Sequence, residues 1–220
     1  MNRNALLNQF CKIELSGETI LLLPEKAIYW PEKKMLLIAD LHLGKTTHFR
    51  NNGIAVPQKA ADSNWIRLHR LFNHFDLKRV CYLGDLFHSS LNRDWNTFEQ
   101  LIGDYPSIEF ELIIGNHDIL AQELYTNIGF TLYESKVEGP FLLTHEPLQT
   151  KSELYNLAGH IHPGVVLKGK AKQRHRLPCF HFGKTQGLLP AFGSFTGLAT
   201  ITLEKEDQVF VITKDKVIGL

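Results

Sequence analysis

The chain has 220 residues, enough for one sizeable core, and its 44% hydrophobic and 21% charged residues are ordinary for a soluble globular protein. A formal net charge of +1 excludes whole-molecule attraction to nucleic acid or an acidic membrane, so any basic surface has to be local. No apolar run nears the ~20 residues that cross a bilayer, residues 1–15 lack the apolar core of a signal peptide, and Cys11, Cys81 and Cys179 form no CxxC pair, so a cytoplasmic protein without a disulfide framework or thiolate zinc site is expected.

Strands are predicted at Cys11–Leu15, Thr19–Leu23, Ala27–Trp30 and Met35–Ala39, punctuated by Ser16-Gly17, Pro24 and Pro31. A helix follows Pro57, with Ala60, Ala61, Trp65, Leu68, Leu71 and Phe72 spaced near the helical repeat. Then come a strand at Arg79–Leu83, a helix near Trp95–Ile102, a strand at Ile108–Ile114 and a short helix around Ile119–Tyr125. The second half is strand-rich: Phe130–Tyr133, Pro140–Thr144, Leu154–Gly159, Val165–Leu167, Cys179–Phe182, Leu188–Ala191, Leu198–Leu203 and Gln208–Ile212. Early helices with strands throughout, and no repeat or linker, predict one domain over residues 1–220. An α/β sandwich fits better than a doubly wound sheet.

One regularity stands out. Four apolar strands run straight into polar turns rich in histidine: MLLIA-DLH, RVCYL-GDLFH, FELII-GNHD and FLL-THEP. A fifth turn, Gly159-His160-Ile161-His162-Pro163, follows the strand at Leu154. Strand ends are where α/β folds gather ligands. The turns carry Asp40, His42, Asp85, Asn116, His145, His160 and His162, a set of carboxylates, imidazoles and one amide without a thiolate. Such ligands suit Mn, Fe or Zn and argue against a closed structural zinc. Seven are too many for one ion and right for two that share a bridging carboxylate and leave positions for water and substrate. Taken singly, DLH and GDLFH are mostly caps or bends, and GNHD and GHIHP are evenly balanced between turn and site; in a row at strand ends they leave little room for coincidence. Leu43-Gly44-Lys45-Thr46 and Gly183-Lys184-Thr185 imitate the end of a P-loop, but Ala39 and Pro178 stand where its first glycine belongs.

The series D-x-H, G-D-x-x-H, G-N-H-D, H and G-H-x-H, from Asp40 to His162, resembles the calcineurin-like metallophosphoesterase superfamily. The resemblance implies a four-layer α/β/β/α sandwich of two mixed sheets, with the metal site at one edge. It implies that Asp40, His42, Asp85 and His162 hold one divalent ion, most readily Mn. Asp85, as the bridge, would hold the second with Asn116, His145 and His160. By the same resemblance His117 faces the scissile phosphate as the catalytic group and Asp118 orients it, while a metal-bridging hydroxide attacks phosphorus. The arginine that clamps phosphomonoesters in protein phosphatases has no counterpart in Gly84-Asp85-Leu86-Phe87-His88, which argues against that activity. DLHLGKTTHFRNNGIAVP, GDLFHS and LPCFHFGKTQGLLPAFGSFTG further resemble a ligase-associated, DNA-repair-linked phosphoesterase subfamily, implying DNA as substrate and DNA ligase and helicase as partners.

Candidate substrate contacts are His88, Lys45 and Arg50, together with Lys172 and Arg174 in the basic stretch 168–176, whose bland reading is a solvated hairpin. Phe49, Phe87, Phe192 and Phe195 are available for base stacking, although most phenylalanines are core. The glycine-rich segment 191–197 fits either packing against the active-site edge or a plain strand-to-strand turn. The functions to weigh are a DNA phosphodiesterase or nuclease, a small-molecule phosphodiesterase or phosphatase with the same metals, and a non-catalytic scaffold.

Overall fold

MLLI is apolar on both faces, and RVCYL and EFELI are buried from their second residue on, so each needs a packed layer on either side. The computed structural model describes residues 10–45, 49, 58–88, 90–150, 152–169 and 174–220 and supplies those layers as two mixed sheets and a set of helices. In the first sheet, antiparallel β1 (Cys11–Leu15), β2 (Glu18–Leu22), β3 (Ile28–Trp30) and β4 (Met35–Ile38) lead into β5 (Arg79–Leu83), β6 (Glu109–Ile113) and β7 (Phe130–Tyr133). From β4 to β7 neighbours are parallel, with Leu37 opposite Cys81 and Cys81 opposite Glu111.

The second sheet contains β8 (Lys136–Glu138), β9 (Phe141–Thr144), β10 (Tyr155–Ala158), β11 (Pro163–Lys168), β12 (Arg174–Phe182), β13 (Gln186–Leu188) and β14 (Ala199–Thr200). Their order is β14-β11-β12-β13-β10-β9-β8, with β15 (Gln208–Ile212) on β12 and β16 (Val217–Gly219) on β15. The helices are α1 (Gln58–His74), α2 (Arg93–Gly103) and α3 (Gln122–Asn127).

The two-residue strand period divides the central strands between two cores. Leu36, Ile38, Val80, Tyr82, Phe110 and Leu112 meet Leu68 and Leu71 of α1, Phe98 and Leu101 of α2 and Tyr125 of α3. The intervening Met35, Leu37, Cys81, Leu83 and Ile113 face Phe141, Leu143, Leu157 and Phe180 of the second sheet. This is the expected α/β sandwich. Among the described residues the helices cover the first sheet only; the far face of the second carries a small cluster of Val165, Cys179, Val209 and Val211. No described helix is long and apolar enough to cross a membrane.

Several boundaries differ from expectation for local reasons. α2 begins at Arg93, because the Asn92 side chain accepts from the Asp94 N–H at 2.9 Å and caps it. α3 begins at Gln122 instead of Ile119, since Ile119 N–H turns back to the His117 carbonyl. The strand expected at Leu188–Ala191 ends at Leu188, and that at Leu198–Leu203 shrinks to Ala199–Thr200.

At the starts of β5 and β6, away from the ligand turns, Arg79 donates to both Glu138 oxygens at 2.7 and 3.0 Å, and Lys136 pairs with Glu111. This cluster ties the two sheets together. The Arg79 guanidinium holds the Glu138 carboxyl down to about 2. A depressed carboxyl contributes stability above its unfolded value near 4.5 and loses it as pH falls towards 2. After discounting for solvent screening, Glu138→Gln should cost about 1–2 kcal/mol at neutral pH. Urea unfolding should show the wild type and the variant converging between pH 4.5 and 2.

A candidate two-metal centre at the strand ends

Three of the five ligand turns leave their strands through backbone that L-residues avoid. Asp40, His42, Asp85, His160 and His162 all have positive φ, between 49° and 64°. Each such residue costs about 1–2 kcal/mol, and they persist where surrounding bonds over-determine them. Here His42 N–H donates to the Asp85 carbonyl at 2.9 Å and Leu43 N–H to that of Leu86 at 2.9 Å, binding the first turn to the second. His160 N–H donates to the Asp40 carboxylate at 2.9 Å, and His117 N–H to Asp85 Oδ1 at 2.9 Å. The turns approach so closely that a Cβ on Gly84 would lie 2.1 Å from His145 Nδ1, and one on Gly115 would lie 2.4 Å from Asp85 Oδ1.

The side chains converge in two groups. In one, His42 Nε2 is 3.3 Å from His162 Nε2, and His162 Nε2 is 3.3 Å from Asp40 Oδ1. In the other, Asn116 Oδ1 is 2.9 Å from His145 Nε2 and 3.1 Å from His160 Nδ1. Asp85 belongs to both, with Oδ2 3.7 Å from His42 Nε2 and Oδ1 3.4 Å from His145 Nε2. Donor atoms ~2.1 Å from a shared ion stand ~3.0–3.4 Å apart, close to these spacings. The His145 ring is aimed from behind by its Nδ1, which donates to the Leu83 carbonyl at 3.0 Å.

Charge makes the same point. Asp40 is 0% and Asp85 2% exposed, and among the described residues their ion-pair partners are all histidines. Burial, with Lys45 and the imidazoles of His162, His88 and His117 nearby, pushes His42 down to about 2 and keeps it neutral, as a ligand must be. Buried carboxylates without a cation cost several kcal/mol each. The donor set therefore fits two divalent ions.

Outside the two groups, the exposed His117 ring lies 4.1 Å from His88 and 5.7 Å from His42, centroid to centroid, at the open side of the cluster. Asp118 has a different task from the expected one. Its Oδ2 accepts from Asp85 N–H and Gly115 N–H, both at 2.9 Å, and its Oδ1 from Phe87 N–H at 3.0 Å. Both oxygens accept backbone N–H groups, so Asp118 ties the β5 and β6 turns together, and none of its hydrogen bonds among the described residues goes to the His117 ring. Burial pushes its carboxyl up to about 6, while the three N–H donors and the nearby Asp85 pull in opposite directions.

Lys45 lies close enough to feel the charges of Asp85 and Asp40. Arg174 does not join them. It pairs with Lys168 at the far end of the β11–β12 hairpin, five residues beyond Pro163 and so ~17 Å along the strand from the His162 turn. Arg50 and Lys172 lie outside the described residues. Segment 191–197 does pack against the site: Phe192 N–H donates to the Ala39 carbonyl and Gly193 N–H to that of Asp40. Arg67 and Asn64 on α1, which the sequence reading passed over, clamp it from the other side.

The calcineurin-like phosphoesterase family model matches residues 33–213. The chain belongs to this family. It is 34% identical to the Pseudomonas putida nuclease MPE, whose crystal structure superposes with a TM-score of 0.82 over 96% of this chain and 100% of that one. Weaker likenesses are a protein of unknown function, AQ665 from Aquifex aeolicus, at 21% identity, 58% and 78% coverage and TM-score 0.41, and a predicted phosphoesterase from Streptococcus pneumoniae TIGR4 at 14%, 84% and 94%, and 0.36. No curated protein matches the chain. Family and neighbour make it a metal-dependent phosphoester hydrolase, in line with the sequence resemblance.

Asp118→Asn would set an amide N–H₂ against at least one of the three backbone donors. The loss expected in urea unfolding of the metal-free protein is about 1–3 kcal/mol; an unchanged midpoint would show that the clasp is unimportant.

Proposed function

We propose that the chain is a Mn-dependent phosphodiesterase that cleaves DNA. The observation that carries this reading is the two-group donor set meeting at Asp85, in a chain that matches a nuclease over 96% of its length. Asp40, His42, Asp85 and His162 would hold one ion, and Asp85, Asn116, His145 and His160 the other. Oxygen and imidazole donors without thiolate favour Mn, with Fe and Zn as alternatives. Bound there, the two ions would supply an acidified water and neutralise charge on the phosphate.

The chain's own groups do the rest. Asp85 keeps both halves of the site in register. His117, fixed through its N–H to Asp85 and exposed at the open side, is placed to give a proton to the leaving oxygen. Lys45 and His88 border the same opening and would contact the phosphate. A diester suits the site better than a monoester, because no arginine stands among the described groups of the centre to clamp a dianion.

In this reading the chain is a single cytoplasmic domain, and its repair role with ligase and helicase partners rests on the subfamily resemblance. A small-molecule diesterase is the second reading. It is favoured by the net charge of +1 and by the distance of Arg174 from the centre.

Purified protein should hydrolyse bis-p-nitrophenyl phosphate with Mn²⁺ and stop when the metal is chelated. His117→Ala should lower kcat about 10²–10⁴-fold with metal content retained. Cleavage of a DNA oligonucleotide that weakens steeply as salt rises supports the nuclease reading. Activity confined to monoesters, or turnover of nucleotides without any of DNA, would sink it.

A further inference from the structure

Beside the His42 turn lies a shallow cleft, open to solvent and with enclosed room for only about 10 Å³, bordered by Leu43, Trp65, Asp94, Gly193 and Phe195 as well as His42 itself. Phe195 is 39% exposed although it is a large apolar ring. Its edge is met by Phe49, with ring centroids 5.5 Å apart and planes at 69°, which sets its tilt. No lysine or arginine borders this cleft among the described residues, and one acid does. The described lining suits an uncharged flat ring better than a phosphate.

Phe195 is also held as a fixed platform. The preceding residues are pinned: Arg67 donates to the Phe192 carbonyl at 2.6 Å and to Ser194 Oγ at 3.1 Å, and stacks 4.2 Å over the Phe192 ring. Asn64 Oδ1 accepts from Ser194 N–H at 3.1 Å. Thr196 Oγ1 closes the loop by donating to the Gly193 carbonyl at 3.2 Å. A half-buried arginine and a buried asparagine spent on one short loop are explained if the ring it carries has to stay in place.

We propose that Phe195, with Phe49 behind it and Trp65 across the cleft, forms a base-stacking subsite for the nucleoside next to the scissile phosphate. The inference deepens the nuclease reading and rests on it. Because the cleft that Phe195 borders reaches His42, a base laid on the exposed ring at its mouth is within one nucleotide of a phosphate at the centre. A base can use the ring only when unpaired and unstacked from its neighbours.

The test couples residue to base. Mn²⁺-loaded wild type, Phe195→Ala and Phe195→Trp are assayed on a single-stranded oligonucleotide, on the same strand with an abasic residue beside the cleavage position, and on bis-p-nitrophenyl phosphate. In the wild type the abasic change should lower kcat/KM about 5- to 100-fold, mainly through KM. Phe195→Ala should show a comparable loss on the intact strand and no further loss on the abasic one, and Phe195→Trp should restore the base effect. Equal losses for Phe195→Ala on DNA and on the base-free diester would mean that the ring only supports the fold, and would overturn the subsite. So would an abasic penalty that persists in Phe195→Ala. A wild type that hydrolyses the base-free diester but no oligonucleotide would remove the nuclease reading, and the subsite with it.

Discussion

Asp40 and Asp85 are sealed from water and, among the described residues, have only imidazoles as ion-pair partners, and that arrangement governs the rest of the structure. Two carboxylates in a poorly solvated place repel each other and seek cations. Around them stand His42, His145, His160, His162 and Asn116, with nitrogen and oxygen lone pairs directed inward from four separate strand ends. A site of this kind is stabilised by the ions it is built to take, so the folded chain and its metals form one thermodynamic unit.

Bringing five turns to one point is a backbone problem. Parallel β4, β5 and β6 place the first three turns side by side, and β9 and β10, parallel to each other in the second sheet, bring His145 and His160 to the same edge. The left-handed conformations at the ligands swing both side chains of the DLH and HIH turns inward. Side chain-to-backbone bonds from Asp118, Asp40 and Asp85 hold that strained geometry. Arg67 and Asn64 reach the site indirectly, by locking the 191–197 loop against the carbonyls of Ala39 and Asp40. At the opposite end of the same strands, Arg79, Glu111, Lys136 and Glu138 fasten one sheet to the other. The functional edge is therefore strained and polar, and the other is tied by ordinary ion pairs.

Much of this was legible in the sequence, because apolar strands ending abruptly in D, H and N carry two signals at once. MLLI followed by DLH gives both a strand and its ligands. What was illegible is long-range. Arg67 acts on a carbonyl 125 residues away, and nothing in the local helix pattern marks it. The role of Asp118 depends on three N–H groups in two different turns, which no spacing rule can assemble. β8, Lys136–Glu138, is polar and short, and exists because its backbone pairs with β9 and its charges meet Arg79 and Glu111. Positive φ at five non-glycine residues has no signature in sequence at all.

The central claim is that Asp85 unites two ion sites, and metal stoichiometry tests it most directly. Elemental analysis after loading with Mn²⁺ and desalting should find about two ions per chain in the wild type, as the shared-carboxylate site requires. Asn116→Ala should lose one ion, and Asp85→Ala, checked for folding by circular dichroism, should lose both. A folded Asp85→Ala protein that still binds two ions, or a wild type that binds one, would contradict the account.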